Sequence, residues 1–143
     1  MKPFLLDTNV LIALAWPNHV HHVDARNWFV QRGAAGFRTC PITETGFVRI
    51  CSNPAFTPAA VTPAEALELL RRIQLLPGHA FWPDDLPAEV AFAQRHVASH
   101  RQITDGYLLA LAISQDGVLA TLDRGVQAIA GSDPDRVELL VKA

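Results

Sequence analysis

The sequence predicts an α/β fold in which a parallel or mostly parallel sheet is covered by helices. Short apolar stretches with strand character alternate along the chain with longer stretches of helical periodicity, and this alternation is typical of parallel sheets. The chain has 143 residues, of which 50% are hydrophobic and 18% are charged. That composition favours a compact core. We therefore expect one domain that spans residues 1–143.

Five short apolar stretches are predicted as strands because each lies between a turn or helix end and the next polar or helix-starting residue. They comprise residues 3–6, 36–40, 79–82, 118–122 and 137–141. A helix should follow nearly every strand, and we predict helices at residues 9–15, 19–32, 41–51, 62–75, 86–98, 104–115 and 124–130.

The helix boundaries come from capping and breaking residues. Trp16-Pro17-Asn18 should end the first helix, and Gly33 should end the second. Pro41 and Pro87 suit the first turn of a helix, because the ring fixes φ and the missing N–H has no partner there. Thr62-Pro63-Ala64-Glu65 combines a threonine cap with a glutamate at the capping-box position. Thr104 is expected to cap the helix that runs to Gln115.

Charge and composition exclude several function classes. The net charge of −2 gives no general attraction to nucleic acid, so binding would need a local patch drawn from ten arginines, since the only lysines are Lys2 and Lys142. No apolar run approaches the roughly 20 residues that span a bilayer. Cys40 and Cys51 are expected to be free thiols. We expect a soluble, cytoplasmic protein with no membrane partner.

Four acidic residues follow predicted strands or begin predicted helices: Asp7, Glu44, Asp105 and Asp123. Each has an ordinary explanation when taken singly, as a helix cap or as a first-turn acid favoured by the helix dipole. Because ligands bind beyond the carboxyl ends of parallel strands, however, acids at several such ends should converge on one crevice. Clustered carboxylates suit hard divalent cations such as Mg²⁺ or Mn²⁺. The pattern predicts a metal-dependent enzyme that acts on phosphate esters.

The motifs around these acids resemble those of PIN-domain nucleases. The resemblance rests on Leu6-Asp7-Thr8-Asn9, Thr43-Glu44, Thr104-Asp105-Gly106-Tyr107 and Ala120-Thr121-Leu122-Asp123 in this order and spacing. Among these nucleases the chain is most similar to the VapC-type ribonuclease toxins of bacterial toxin–antitoxin pairs. The resemblance covers essentially the whole chain and implies a three-layer α/β/α sandwich with a mostly parallel sheet of about five strands.

The resemblance also implies an activity and a set of site residues. Asp7, Glu44, Asp105 and Asp123 would be the catalytic residues and would bind one or two Mg²⁺ or Mn²⁺ ions for the hydrolysis of RNA phosphodiesters. The small polar residues Thr8, Asn9 and Thr121 would orient the carboxylates or ordered waters.

Partners follow from the same resemblance: an RNA substrate, a small cognate antitoxin in a toxin–antitoxin hetero-oligomer, and a second copy in a homodimer. Arg49 and Arg124 are the arginines nearest to the acids in sequence and are candidates for holding RNA phosphates. Gly106 departs from the helix-forming residue that is usual after this aspartate, and it would let substrate backbone approach closely or would be a tolerated weakness.

Two other interpretations stay open at this point. The first is a non-toxin PIN-domain nuclease of RNA processing. The second is a non-enzymatic α/β module with an acidic pocket, such as a receiver domain. A receiver needs a lysine after a late strand, and no lysine lies between Lys2 and Lys142.

Overall fold

The computed structural model describes residues 1–95 and 97–141, and within them a sheet of five parallel strands is flanked by helices on both faces. The strands are β1 (Phe4–Leu6), β2 (Phe37–Thr39), β3 (His79–Phe81), β4 (Val118–Thr121) and β5 (Val137–Leu139). The helices are α1 (Thr8–Ala15), α2 (His22–Gln31), α3 (Pro41–Cys51), α4 (Pro63–Gln74), α5 (Ala88–Phe92), α6 (Ile103–Ser114) and α7 (Val126–Ala130). The predicted α/β sandwich is confirmed.

The strand order is β3-β2-β1-β4-β5, so β1 lies at the centre of the sheet and pairs with both β2 and β4. The chain moves outward from β1 in one direction through β2 and β3, and then crosses back to place β4 on the other side of β1. The carboxyl ends of β1 and β4 therefore flank a topological switch point, which is where open α/β sheets form their ligand crevice.

Alternating side chains of the strands divide the core into two apolar layers. In β1, Phe4 and Leu6 pack with α1, α2, α3 and α4, whereas Leu5 faces α6 and α7. Val118 and Leu119 of β4 divide in the same way. Period-two alternation in a strand that is buried on both faces requires apolar residues throughout, which explains why β1 and β4 read as continuous apolar runs.

The predicted starts of the second and sixth helices are wrong. The second helix begins at His22 and not at residue 19, because residues 19–21 form a turn in which the His22 N–H donates to the carbonyl of His19. Helix α6 begins at Ile103, so Thr104 lies inside its first turn and does not cap it. Thr62, in contrast, caps α4 with the predicted capping box.

The helix predicted at residues 86–98 is limited to α5, Ala88–Phe92, although residue 96 of that prediction lies outside the described residues. After α5 the chain turns, and the buried Arg95 side chain pairs with Asp133 at 3.1 Å. The segment also packs on Gly106, where an added Cβ would lie 2.8 Å from Val97 and 3.1 Å from Phe92. Gly106 thus makes room for the chain's own side chains.

None of the helices in residues 1–95 and 97–141 is long and apolar enough to cross a membrane.

Gly78, which directly precedes β3, packs closely against the backbone of Ala34, and substituting it tests this packing. A Cβ added at Gly78 would lie 2.1 Å from the carbonyl oxygen of Ala34, so Gly78→Ala must move backbone. We expect Gly78→Ala to lower the free energy of unfolding by about 1–3 kcal/mol, as overpacking typically does, when measured by urea denaturation. Gly36→Ala is the matched control, because a Cβ there meets nothing within 4 Å. Equal effects of the two substitutions would contradict this packing.

Candidate active site at the carboxyl edge of the sheet

Asp7 follows β1 directly and is held by hydrogen bonds to both of its carboxylate oxygens. The backbone N–H of Thr8 donates to Oδ1 at 2.8 Å, so Asp7 caps α1, and the Thr121 hydroxyl donates to Oδ2 at 2.7 Å. The residue is 6% exposed. Burial raises the pKa of the Asp7 carboxyl, and the charge of the neighbouring Asp123 raises it further. The two hydrogen bonds lower this pKa but do not offset the effect of burial.

The Thr121 hydroxyl connects three parts of the site. Thr121 is the last residue of β4 and is fully buried. Its oxygen donates to Asp7, accepts from the Asp123 N–H at 3.1 Å, and lies 3.5 Å from the Asn9 amide nitrogen. Asn9 in turn accepts from the Leu122 N–H at 3.2 Å. The start of α1 and the end of β4 are therefore joined by the side chains of Asn9 and Thr121.

Thr8 contributes in a different way from Asn9 and Thr121. Its backbone N–H holds Asp7, whereas its side chain lies against α3, where a Cβ added at Gly46 would be 2.9 Å from Thr8 Oγ1. This close contact sets the spacing between α1, which begins beside Asp7, and α3, which carries Glu44 in its first turn.

Asp105 and Asp123 complete a group of three mutually repelling carboxylates with Asp7. Burial in the first turn of α6 and, to a smaller extent, the charges of Asp7 and Asp123 together raise the pKa of Asp105 from 3.8 to about 6. Asp123 is exposed and accepts a hydrogen bond from the Gly125 N–H at 2.8 Å. Among the described residues, none donates a hydrogen bond to the Asp105 carboxylate, in contrast to the two donors that hold Asp7.

Glu44 lies at the same edge of the sheet but has its own set of contacts. Its Oε2 accepts from the Thr39 hydroxyl at 2.6 Å and from the Gln74 amide at 3.0 Å. The Thr39 oxygen also lies 2.7 Å from Nε2 of His79. The sequence did not predict roles for Thr39, Gln74 or His79. One signal was available: Thr39 ends its strand just as Thr121 does.

The donor set fits a hard divalent cation. All four predicted ligands offer carboxylate oxygens, which are the ligands that Mg²⁺ and Mn²⁺ prefer. Burial, together with neighbouring carboxylates, raises the pKa of Asp7 and of Asp105, and a bound cation would favour their charged forms. Within residues 1–95 and 97–141, no three His, Cys, Asp or Glu side chains are close enough to hold a metal ion as they stand. Binding would therefore require the carboxylates to close together around the cation.

The two arginines predicted to hold RNA occupy different positions. Arg124 is exposed and directly follows Asp123 between β4 and α7. Arg49 is exposed in the last turn of α3, roughly 7 Å further along the helix axis than Glu44. Phosphate binding by either arginine stays a prediction.

Comparisons with known proteins identify relatives over most of the chain. The PIN domain family model matches residues 4–132. The chain is 50% identical over 121 residues to Ribonuclease VapC39 of Mycobacterium tuberculosis, covering 83% of this chain and 87% of that protein. It is 42% identical over 137 residues to Ribonuclease VapC38 of the same organism, covering 95% and 96%.

Solved structures with a similar fold include FitAB bound to an IR36 DNA fragment, with a TM-score of 0.63 and 21% identity over 98% of each chain. VapBC2 from Rickettsia felis, bound to a DNA fragment from the promoter, has a TM-score of 0.61 and 8% identity, covering 95% of this chain and 97% of that one. At these identities the likeness shows the fold alone.

The raised pKa of Asp105 predicts a specific pH dependence for the metal-free protein. Between its ordinary value of 3.8 and about 6, the folded state binds a proton that the unfolded state releases, so this residue lowers stability as pH rises through that range. Asp105→Asn removes the penalty. We expect the substitution to raise the melting temperature in EDTA at about pH 7.5 and to have a much smaller effect at about pH 4. An equal rise in melting temperature at both pH values would contradict the raised pKa of Asp105.

Proposed function

We propose that this chain, which belongs to the PIN-domain family and to the VapC ribonucleases within it, is a metal-dependent endoribonuclease that serves as the toxin of a toxin–antitoxin pair. The observation that carries the proposal is the buried Asp7 carboxylate at the switch point of the sheet, with Asp105 and Asp123 close enough for the three carboxylates to repel one another. A single domain over residues 1–143, working in the cytoplasm, is part of the proposal.

The chain's own residues would form the site as follows. Asp7 is the fixed ligand, because Thr8 and Thr121 hold both of its oxygens. Asp105 and Asp123 would close on the cation from α6 and from the end of β4, and Glu44 would add a carboxylate from α3. When bound, one or two Mg²⁺ or Mn²⁺ ions would activate a water molecule and neutralise the charge that develops on the leaving oxygen of the RNA phosphodiester.

The antitoxin would be a small protein whose segment folds along the toxin surface. A shallow groove of about 240 Å³ begins at Glu44 and is otherwise lined by Thr45, Val48, Leu67 and Leu70. Leu67 is 51% exposed in this groove. An amphipathic segment would cover these apolar side chains, and an arginine at its end would meet the carboxylates with charge-assisted hydrogen bonds in place of the metal.

A homodimer is the second part of the assembly that we propose. The mean hydropathy of the chain is +0.16, and several large apolar side chains are exposed, among them Val20, Val30 and Val90. A protein with this surface is well suited to bury more of it against a second copy and an antitoxin.

Replacing the fixed ligand tests the nuclease proposal. Asp7→Asn keeps one of the two acceptor oxygens and removes a buried charge, so it should abolish RNA cleavage in Mg²⁺ or Mn²⁺ while the melting temperature in EDTA stays the same or rises. Cleavage is measured on labelled RNA, and folding by circular dichroism. The matched control is Asp135→Asn, an exposed aspartate that precedes β5 at the opposite edge of the sheet and should leave cleavage unchanged. Wild-type cleavage in excess EDTA would refute the metal dependence.

Substitution of the two arginines tests the RNA contacts. We expect the double substitution Arg49→Ala and Arg124→Ala to weaken RNA binding in EDTA and to flatten its salt dependence, by roughly 0.7 in the log–log slope for each RNA phosphate that is no longer neutralised. The charge-matched control is the double substitution of two other exposed arginines, Arg26→Ala and Arg72→Ala. If the double variant and the control bind RNA with the same affinity and salt slope, the two arginines do not contact RNA.

The partner proposal is tested by co-expression with the product of a small reading frame directly upstream, followed by size-exclusion chromatography and an RNase assay. We expect a hetero-oligomer that contains two copies of this chain and does not cleave RNA. Leu67→Asp should weaken this complex, because it places a charge in the groove, whereas Leu75→Asp, beyond the end of α4, should not. A monomeric chain that neither binds the co-expressed protein nor is inhibited by it would overturn the toxin assignment and leave the nuclease assignment standing.

A further inference from the structure

The contacts of Glu44 differ from those of a surface acid in the first turn of a helix. Its Oε2 accepts two hydrogen bonds, from the Thr39 hydroxyl at 2.6 Å and from the Gln74 amide at 3.0 Å. Among the described residues, none donates to the other oxygen, Oε1. One oxygen is thus fixed by the protein, and the other is left able to bind a cation.

Thr39 is placed to do this by the sheet. It is the last residue of β2 and is fully buried, as are Thr43 and Thr121. Thr121 is likewise the last residue of β4 and donates its hydroxyl to Asp7 at 2.7 Å. Two strand ends at the same edge of the sheet therefore carry a buried threonine, and each threonine donates to one of the predicted metal ligands.

The direction of the hydrogen bonds follows from the number of protons available. A threonine hydroxyl has one proton to donate. At 2.6 Å from a carboxylate oxygen that proton must point to Glu44, so the contact with His79 must be a donation from the Nε2–H of the imidazole to the Thr39 oxygen. The chain His79 to Thr39 to Glu44 fixes both the tautomer of His79 and the rotamer of Glu44. Burial lowers the pKa of His79 and favours the neutral ring, in which a single nitrogen carries the proton.

We infer that Thr39, Gln74 and His79 are positioning residues that hold Glu44 with one oxygen directed to the cation site and so set the affinity of this chain for divalent metal. The inference rests on the proposed function, because it takes Glu44 to be a metal ligand. Hydrogen-bonded partners of metal ligands typically change metal affinity or activity by 10–100-fold when they are removed.

The experiment measures Mn²⁺ affinity by calorimetry for the wild type and for five variants. Thr39→Val removes the hydroxyl with little change in shape and should weaken Mn²⁺ binding by roughly 10–100-fold, whereas Thr39→Ser should restore it to within a few-fold. Thr43→Val is the matched control, because Thr43 is an equally buried threonine of α3 whose hydroxyl bonds to Cys40 and not to Glu44. It should lower the melting temperature without changing Mn²⁺ affinity.

The two remaining variants, Glu44→Gln alone and Glu44→Gln combined with Thr39→Val, show whether Thr39 acts through Glu44. In the Glu44→Gln background, adding Thr39→Val should produce no further loss of Mn²⁺ affinity, since the effects of two residues in one chain of contacts do not add. A second readout needs no metal: the ¹⁵N shifts of His79 in EDTA should report the Nε2–H tautomer in the wild type and lose that signature in Thr39→Val.

Two failures are distinguishable. If the wild type binds no Mn²⁺, the proposed metal-dependent function fails. If the wild type binds Mn²⁺ and Thr39→Val binds it equally well, or if the two substitutions at Thr39 and Glu44 have additive effects, the positioning role is overturned and the metal site stands.

Discussion

The hydrogen bond from the buried Thr121 hydroxyl to the Asp7 carboxylate is the contact on which the site depends. It joins the end of β4 to the end of β1 at the switch point of the sheet, and the same hydroxyl accepts from the Asp123 backbone. Asp7 is also the cap of α1, so the carboxylate that organises the helix start is the one placed at the floor of the crevice. Fold and site share these atoms, which explains why an ionisable group is kept in a position that is otherwise apolar.

The site is built from carboxylates with unequal freedom. Asp7 is held at both oxygens, Glu44 is held at one, and the Asp105 carboxylate accepts no hydrogen bond from the described residues. Repulsion and burial raise the pKa of Asp105 to about 6, so the metal-free arrangement is destabilised at neutral pH. A divalent cation would relieve this repulsion and draw the freer carboxylates towards the fixed one. An arginine from a partner protein would relieve the same repulsion. The repulsion between the carboxylates would therefore favour both the metal that activates the enzyme and the arginine that inhibits it.

Much of the fold and the site was readable in the sequence, because the informative residues lie at strand ends. Asp7, Asp123 and the apolar runs before them predict both the parallel sheet and the edge at which the acids meet, and the Thr62 capping box predicts the start of α4. The early end of α5 was not readable, since it depends on the pairing of Arg95 with Asp133, 38 positions away. The contacts of Glu44 were missed for the same reason: Gln74 lies 30 positions from Glu44, and His79 lies 40 positions from Thr39. Local patterns locate the acids, whereas their supporting contacts arise only when distant strands are placed side by side.

The most direct test of the metal site is a crystal structure of this protein grown with Mn²⁺, with anomalous scattering used to locate the ions. We expect one or two peaks at the carboxyl edge of the sheet, each bound by the Asp7 carboxylate together with Asp105, Asp123 or Glu44. Glu44 should bind through the oxygen that Thr39 leaves open. If ordered Mn²⁺ were found elsewhere, for example at the adjacent imidazole rings of His19 and His21, and none were found beside Asp7, the proposed site would be contradicted.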